Sequence, residues 1–223
     1  MSTDHTSEPA GLLPRNIELI IAILLGLVAM VTAWASFQSS LWDGNMTQNY
    51  TNGSNLATEA ESLYLEGNQQ YVQDAQLIIT LRELQLQAEA GDPVAQAQFE
   101  TIYFESVSED LDAAIQRADA ENAANPDFSV SPLDDEEYQG ALFGAYAETS
   151  DEADATIAEG DVANTQADKL TLNTVLLALS LFLLGIAAIV KRNLIKYVLT
   201  GFAVVIAVVA TVLTAAIPAL WIG

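Results

Sequence analysis

Three stretches of this chain, "IELIIAILLGLVAMVTAWASF" (residues 17–37), "LNTVLLALSLFLLGIAAIV" (172–190) and residues 197–220, carry no charged side chain except Glu18. No other feature limits the fold as strongly. About 20 apolar residues in helical form reach ~30 Å, the thickness of one bilayer core. A backbone inside that core must satisfy its own hydrogen bonds, so segments of this kind cross as helices. The middle of the chain has the opposite character. Residues 39–170 hold 27 of the 30 acidic side chains against only Arg82, Arg117 and Lys169, a net of −24 in a chain whose total is −23. The sequence reads as an all-α membrane protein: an N-terminal tail (1–16), a first span (17–37), an acidic water-facing domain (38–170), a second span (171–190), a short basic loop (191–196), a third span (197–220) and a short end (221–223).

The loop "KRNLIK" carries three of the seven basic residues, and the positive-inside rule assigns it to the cytoplasm. The N-terminus, with Arg15 beside the first span, then lies on the same side. Residues 38–170 become extracytoplasmic, and Trp221 fits an interfacial aromatic position at the outer C-terminus. Ala33-Trp34-Ala35 matches a signal-peptide cleavage pattern. The apolar run is longer than a usual signal core, however, and one base precedes it, so a retained span is expected.

Beyond the first span a seam of small and aromatic residues runs through Trp42, Met46, Tyr50, Gly53, Ala57, Ala60, Tyr64, Gly67 and Tyr71. After an opening step of four, its spacing alternates between four and three, the signature of a helix packed along another. After a phase slip the spacing resumes at Leu77, Leu81, Leu84 and Ala88. Helices are expected over about 38–90, 93–122 and 134–170, separated by "AGDP" and "NPDFSVSP". The third carries a matching seam of Leu142, Tyr146, Thr149, Ala153, Ile157, Gly160, Asn164 and Ala167, and its first turn is rich in acids. The result is a helical stalk whose first and last helices continue the first and second spans. Spacing alone leaves open whether the seams meet within or between subunits. In the first span Ala22, Gly26, Ala29 and Ala33 form a small-residue face of the kind that packs membrane helices. A thin three-span anchor offers little internal core, which favours a homo-oligomer.

At the exit of the first span, "AWASFQSSLWDG" sets out Trp34, Gln38, Trp42 and Gly44 as Trp-x-x-x-Gln-x-x-x-Trp-x-Gly, ahead of Tyr50 and an alanine-rich helix. With the C-terminal order of span, basic loop and span, this resembles a family of uncharacterised prokaryotic three-span membrane proteins with a long helical extramembrane domain. The resemblance implies the same architecture and brings no activity and no functional residues.

Chemistry-bearing patterns are sparse. The chain has no cysteine and one histidine, His5, in the N-terminal tail. That excludes a Ser-His-Asp or Cys-His centre in the acidic domain and a thiolate or histidine zinc site there. Nucleotide-binding glycine motifs are absent. Carboxylate runs such as Asp134-Asp135-Glu136-Glu137 and Asp151-Glu152-x-Asp154 read as solvated helix faces that bind divalent cations weakly at most. So acidic a domain repels nucleic acid. No cofactor is expected and no catalytic residue is assigned. The expected partners are the lipid bilayer and a second copy or another membrane protein. The leading expectation is a non-enzymatic scaffold stalk or accessory subunit of an envelope complex. The alternative is a cation pore with an acidic vestibule.

Three acceptor patterns for N-glycosylation crowd residues 41–55, at Asn45, Asn49 and Asn52. Their spacing of four and three places them on one helical stripe beside the seam. Acceptors favour surface loops, so a polar helical stripe is the preferred reading over modified or unwound sequons.

Overall fold

The computed structural model describes residues 12–125, 127 and 129–221, with side chains from Ile17 onward. His5, the side chain of Arg15 and the last two residues lie outside the described residues. Among the described residues there are five α-helices, one 3-10 turn and no strand: α1 (Leu12–Glu89), α2 (Pro93–Ser106), α3 (Glu109–Ala124), the turn Pro132–Asp134, α4 (Glu136–Ile189) and α5 (Asn193–Ala215). α1, α4 and α5 each contain a segment long and apolar enough to cross a membrane. The contacts divide into two compact units, one comprising residues up to Tyr50 and from Ala158 onward, the other Thr51–Ile157.

The first unit holds the apolar segments. Its core joins Ile17, Ile21, Val28 and Ala35 of α1, Leu170, Leu177, Leu184 and Ala187 of α4, and Ala203, Ala207 and Ala210 of α5. Large apolar side chains such as Leu27, Met30, Val175, Phe182, Phe202 and Val209 point outward, fully half exposed or close to it. In water such a surface would aggregate; in lipid it is the ordinary exterior. Ser180 Oγ of α4 donates across to the Ala203 carbonyl of α5 at 2.8 Å, whereas the buried Thr214 Oγ1 has no partner among the described residues. Lys196 is buried and its Nζ reaches Glu18 at 3.2 Å, giving the one acid of the first span a partner. The basic loop is shorter than 191–196, because α5 already begins at Asn193.

α5 also ends earlier than the expected limit of 220. Pro218 has no N–H to donate, its ring crowds the carbonyl of residue 214, and Ile217 before it is pushed out of helical geometry. The helix accordingly stops at Ala215, with the last bonds running from Ala216 N–H to the Val212 carbonyl and from Ile217 N–H to the Thr214 carbonyl.

The second unit is built on the same two long helices joined by α2 and α3. α1 ends where Gly91 adopts φ +97°, a value that suits glycine. The Asp92 N–H returns to the Gln87 carbonyl and the Gly91 N–H to the Ala88 carbonyl, closing the helix end. Asp92 then caps α2 through Val94 and Ala95 N–H, with Pro93 in the first turn.

The expected single helix over 93–122 is two helices. Ser108 caps α3 through the Leu111 N–H at 3.2 Å, and Glu109, Asp110 and Asp112 fill the first turn. A capping serine followed by acids is a start signal strong enough to interrupt a helix. The break turns Leu111 and Ala114 into a core with Tyr138, bordered by Tyr71, Ile78 and Leu133. Burying each large apolar side chain there contributes about 1.5–3 kcal/mol.

α4 starts where Asp135 accepts from the Tyr138 N–H at 2.9 Å. The same carboxylate takes both arms of Arg117, Nε and Nη2 each at 2.7 Å, while Nη1 reaches Glu137 at 2.9 Å. First the Arg117 bond and then the Tyr138 N–H hold the Asp135 carboxyl down at about 2, against 3.8 ordinarily. A depressed carboxylate contributes stability above its unfolded value, and that contribution disappears as pH falls from about 4 towards 2. The melting temperature of the native chain should therefore exceed that of Asp135→Asn at pH 6, and the gap should narrow steadily as pH falls from about 4 to about 2. A gap that stays constant across this range would refute the pairing.

Two glycines in this unit admit their neighbours closely. A β-carbon on Gly67 would lie 2.5 Å from the Leu142 carbonyl and 3.1 Å from the Phe143 ring, and one on Gly53 would lie 2.6 Å from Ile157. Gly140 has nothing within 4 Å. An alanine gains up to about 1 kcal/mol of helix propensity at either kind of site. At Gly67 it also meets backbone, an overpacking cost of about 1–3 kcal/mol. Gly67→Ala should lower the denaturation midpoint and Gly140→Ala should raise it slightly; equal shifts in one direction would contradict this packing.

Candidate functional site

The residues that close the first span converge on the last described residues of the chain. Trp34, Gln38 and Trp42 recur every four positions on α1 and so share one face. Gln38 is only 3% exposed. Its Nε2 donates to the Leu220 carbonyl at 3.0 Å, and the Leu220 N–H donates back to Oε1 at 2.8 Å. Trp42 Nε1 donates to the Pro218 carbonyl at 3.2 Å. The Trp34 ring lies 5.9 Å from that of Trp221, tilted by 54°. One carboxamide thus serves both backbone groups of a residue that no helix or strand supports.

This clamp answers a local need. Once Pro218 has ended α5, the following peptide groups lie at the edge of the apolar segment without helical partners. Each buried group left unmet would cost about 1–3 kcal/mol. Beside the clamp, Ser39 Oγ donates to the Ala167 carbonyl at 3.2 Å, which leaves the Thr171 hydroxyl, 3.0 Å away, to donate to Ser39. None of these side chains ionises near neutral pH, so the cluster holds chain against chain and provides no acid, base or activated nucleophile.

The buried titratable pair lies in the other unit. Asp74, 2% exposed, accepts from Tyr138 Oη at 2.7 Å and Gln70 Nε2 at 2.9 Å. Burial, and then the Asp74 bond, push the Tyr138 hydroxyl well above its ordinary value, which keeps it a donor. Burial and a bond to Asp112 likewise push Tyr103 up to about 12. These hydroxyls act as struts for buried or half-buried carboxylates. Among the described residues no three histidine, aspartate or glutamate side chains converge as metal ligands.

The seam residues occupy identifiable places. Within the unit that carries the spans, Trp42, Met46 and Tyr50 are half-buried. The Tyr50 ring lies over Gly160, where a β-carbon would come within 2.6 Å, and its hydroxyl donates to Asp161 at 2.6 Å. In the other unit Gly53, Ala60 and Gly67 are buried, Tyr71 is half-buried, and Ala57 and Tyr64 are exposed. Tyr64 still stacks near Phe143 and Tyr146, with ring centres 5.8 and 5.3 Å away. Beyond Tyr71 the expected Leu77, Leu84 and Ala88 are half-buried and Leu81 is buried, and Asp74 is buried between Tyr71 and Leu77. Asp74 was missed because an acid on a seam looks like one more acid in an acidic domain.

The face of Ala22, Gly26, Ala29 and Ala33 is not the face that meets α4 and α5. All four are exposed, and a β-carbon on Gly26 would have nothing within 4 Å. α1 packs instead through Ile17, Ile21, Val28 and Ala35. Residues 41–55 are helical throughout, with Asn45 and Asn52 exposed and Asn49 half-buried, so the sequons are not unwound.

The clamp makes a direct claim on the C-terminal segment. Replacing Gln38 by Leu removes both bonds, and the Leu220 amide should exchange with solvent about tenfold faster, the equivalent of one or two lost hydrogen bonds. Trp221 emission should shift as the ring leaves Trp34. Unchanged exchange at Leu220 would show that the clamp holds nothing.

Comparison of the chain with protein-family models, with curated proteins and with solved structures gave no match.

Proposed function

We propose that this chain is a non-enzymatic membrane scaffold or accessory subunit that associates through its first span. Residues 38–170 would form an extracytoplasmic helical stalk, and the N-terminus and basic turn would be cytoplasmic. One observation carries the reading. The outer seam is occupied within the chain, at Gly53, Gly67 and Gly160, whereas the small-residue face of the first span is left uncovered. In lipid, apolar area offers no drive to associate, and close approach through small residues is what brings helices together. Ala22, Gly26, Ala29 and Ala33 supply such a surface on the side of α1 away from α4 and α5. Another copy of this chain is the simplest partner, since a thin anchor gains most from repetition.

The orientation rests on Lys191, Arg192 and Lys196 clustering at the turn between α4 and α5. The cation-pore alternative draws less support. Hydroxyls on the spans, such as Thr200 and Thr211, bond to carbonyls of their own helix, and the uncovered face of α1 is apolar and small.

Native mass spectrometry from nanodiscs tests the proposal on the full chain. We expect an oligomer for the native sequence and a shift to monomer for Gly26→Leu combined with Ala29→Leu, with helical content unchanged. Per-chain mass should equal that of the bare polypeptide, without glycan at Asn45, Asn49 or Asn52. A native chain that is monomeric and carries no partner under mild extraction would overturn the scaffold reading.

A further inference from the structure

One cavity in the span-bearing unit sits where apolar and charged sequence meet. It is an open cleft of about 450 Å³ between α4 and the end of α5, within the roughly 300–1,000 Å³ range of small-molecule sites. Its apolar floor is formed by the half-buried Ile217 together with the exposed Leu172 and Leu213, and its polar side by Gln166, Lys169 and Asn173. Lys169 and Asn173 are one helical turn apart, so both polar ends rise from the same face of α4. Lys169 lies at the last charged position before the second apolar segment.

Two of these side chains lack partners. Asn173 is 3% exposed and lines the cavity, yet its carboxamide makes no hydrogen bond to any described residue. Its amide atoms are not sealed from solvent, unlike Thr214 Oγ1, the one sealed and unbonded side-chain atom among the described residues, so water or a ligand in the cleft can supply the bond. Lys169 forms no ion pair among the described residues, although residues 39–170 carry 27 carboxylates. Asp168 adjoins it in sequence but points to a different side of the helix.

We propose that this cavity binds one phospholipid with an anionic headgroup. The Lys169 ammonium meets the phosphate, the Asn173 carboxamide donates to the phosphate or the first ester carbonyl, and an acyl chain lies along Leu172, Leu213 and Ile217. Three features select this occupant. The cavity lies at the level where headgroups sit if α4 and α5 cross a bilayer. Its one charge is positive and unpaired, and its floor is apolar. The surrounding acids repel anionic lipid in general, which makes Lys169 the local exception and the site specific in position.

Titration of the detergent-solubilised full chain with phosphatidylglycerol and, separately, phosphatidylcholine, read by native mass spectrometry, tests this. Expected is one retained phosphatidylglycerol per chain, bound at least about tenfold more tightly than phosphatidylcholine, in line with one charge-assisted bond. Lys169→Gln should abolish the preference, and Lys169→Arg should keep it. Asn173→Ala should weaken both lipids. Lys191→Gln, just beyond the other end of the second apolar segment, should change nothing, which separates the site from general charge attraction. Equal affinity for the two lipids, or a preference that survives Lys169→Gln, would overturn the proposal. So would displacement of the lipid by millimolar glycerol phosphate, since the cavity would then be a phosphate site without need of the acyl chain.

Discussion

Close approach between α1 and α4 is the constraint on which the remainder depends. In each unit it is achieved by setting a glycine on one helix against a bulky group on the other: Gly160 under the Tyr50 ring, Gly53 against Ile157, Gly67 against the Leu142 carbonyl and Phe143 ring. Large-into-small matching of this kind gives little hydrophobic area per residue but many short van der Waals contacts. It also fixes axial register, because a ring that fits over a glycine does not fit one turn away. For an acidic chain this matters. Carboxylates spread along both helices repel each other, and a packing mode that works through shape rather than area keeps the two faces together without pairing the charges.

Irregular segments are secured by a second device, found once in each unit among the described residues. Gln38 bonds both backbone groups of Leu220, and Asn122 bonds both backbone groups of Val130, at 3.1 and 2.7 Å. A primary amide presents a donor and an acceptor side by side, as a peptide does, so it can replace a missing strand neighbour. Both clamped residues follow or lie next to proline-containing sequence, Pro218 in one case and Pro132 in the other. Pro218 follows the end of α5 and Pro132 opens the 3-10 turn, and in both places the amide side chain satisfies backbone groups that no regular element reaches.

Much of this was legible in the residue pattern, and the failures are instructive. The apolar segments, the Gly91-Asp92-Pro93 punctuation and the seam from Trp42 to Tyr71 each depend on local chemistry that sequence exposes directly. The break at Ser108 was equally local but was outvoted by a longer helical pattern. Asp74 and Gln38 could not be read that way. A buried carboxylate is distinguished from a solvated one by Tyr138, 64 positions away, and a clamping glutamine by a leucine 182 positions away. The Trp34, Gln38, Trp42 spacing marked the right face without naming what it grips.

The two candidate stripes on the first span show how the sequence nevertheless held the answer. Ala22, Gly26, Ala29 and Ala33 alternate by four and three, and so do Ile21, Leu25, Val28, Thr32 and Ala35. Periodicity cannot rank them, and apolar bulk cannot either, because lipid solvates both equally well. Continuity can. Counted backward from Tyr50 through Met46 and Trp42, the inward stripe reaches Ser39 and Ala35, then Val28 and Ile21, the residues that are buried. A continuous helix without a bulge keeps one inward stripe, so the small-residue stripe is committed to facing away from α4 and α5. There any apolar residue would satisfy the bilayer, and leucine or valine would bury the backbone better. A run of alanine and glycine at every position of that stripe is therefore unexplained by lipid alone, and a closely approaching neighbouring helix, as in the proposed association, would account for it.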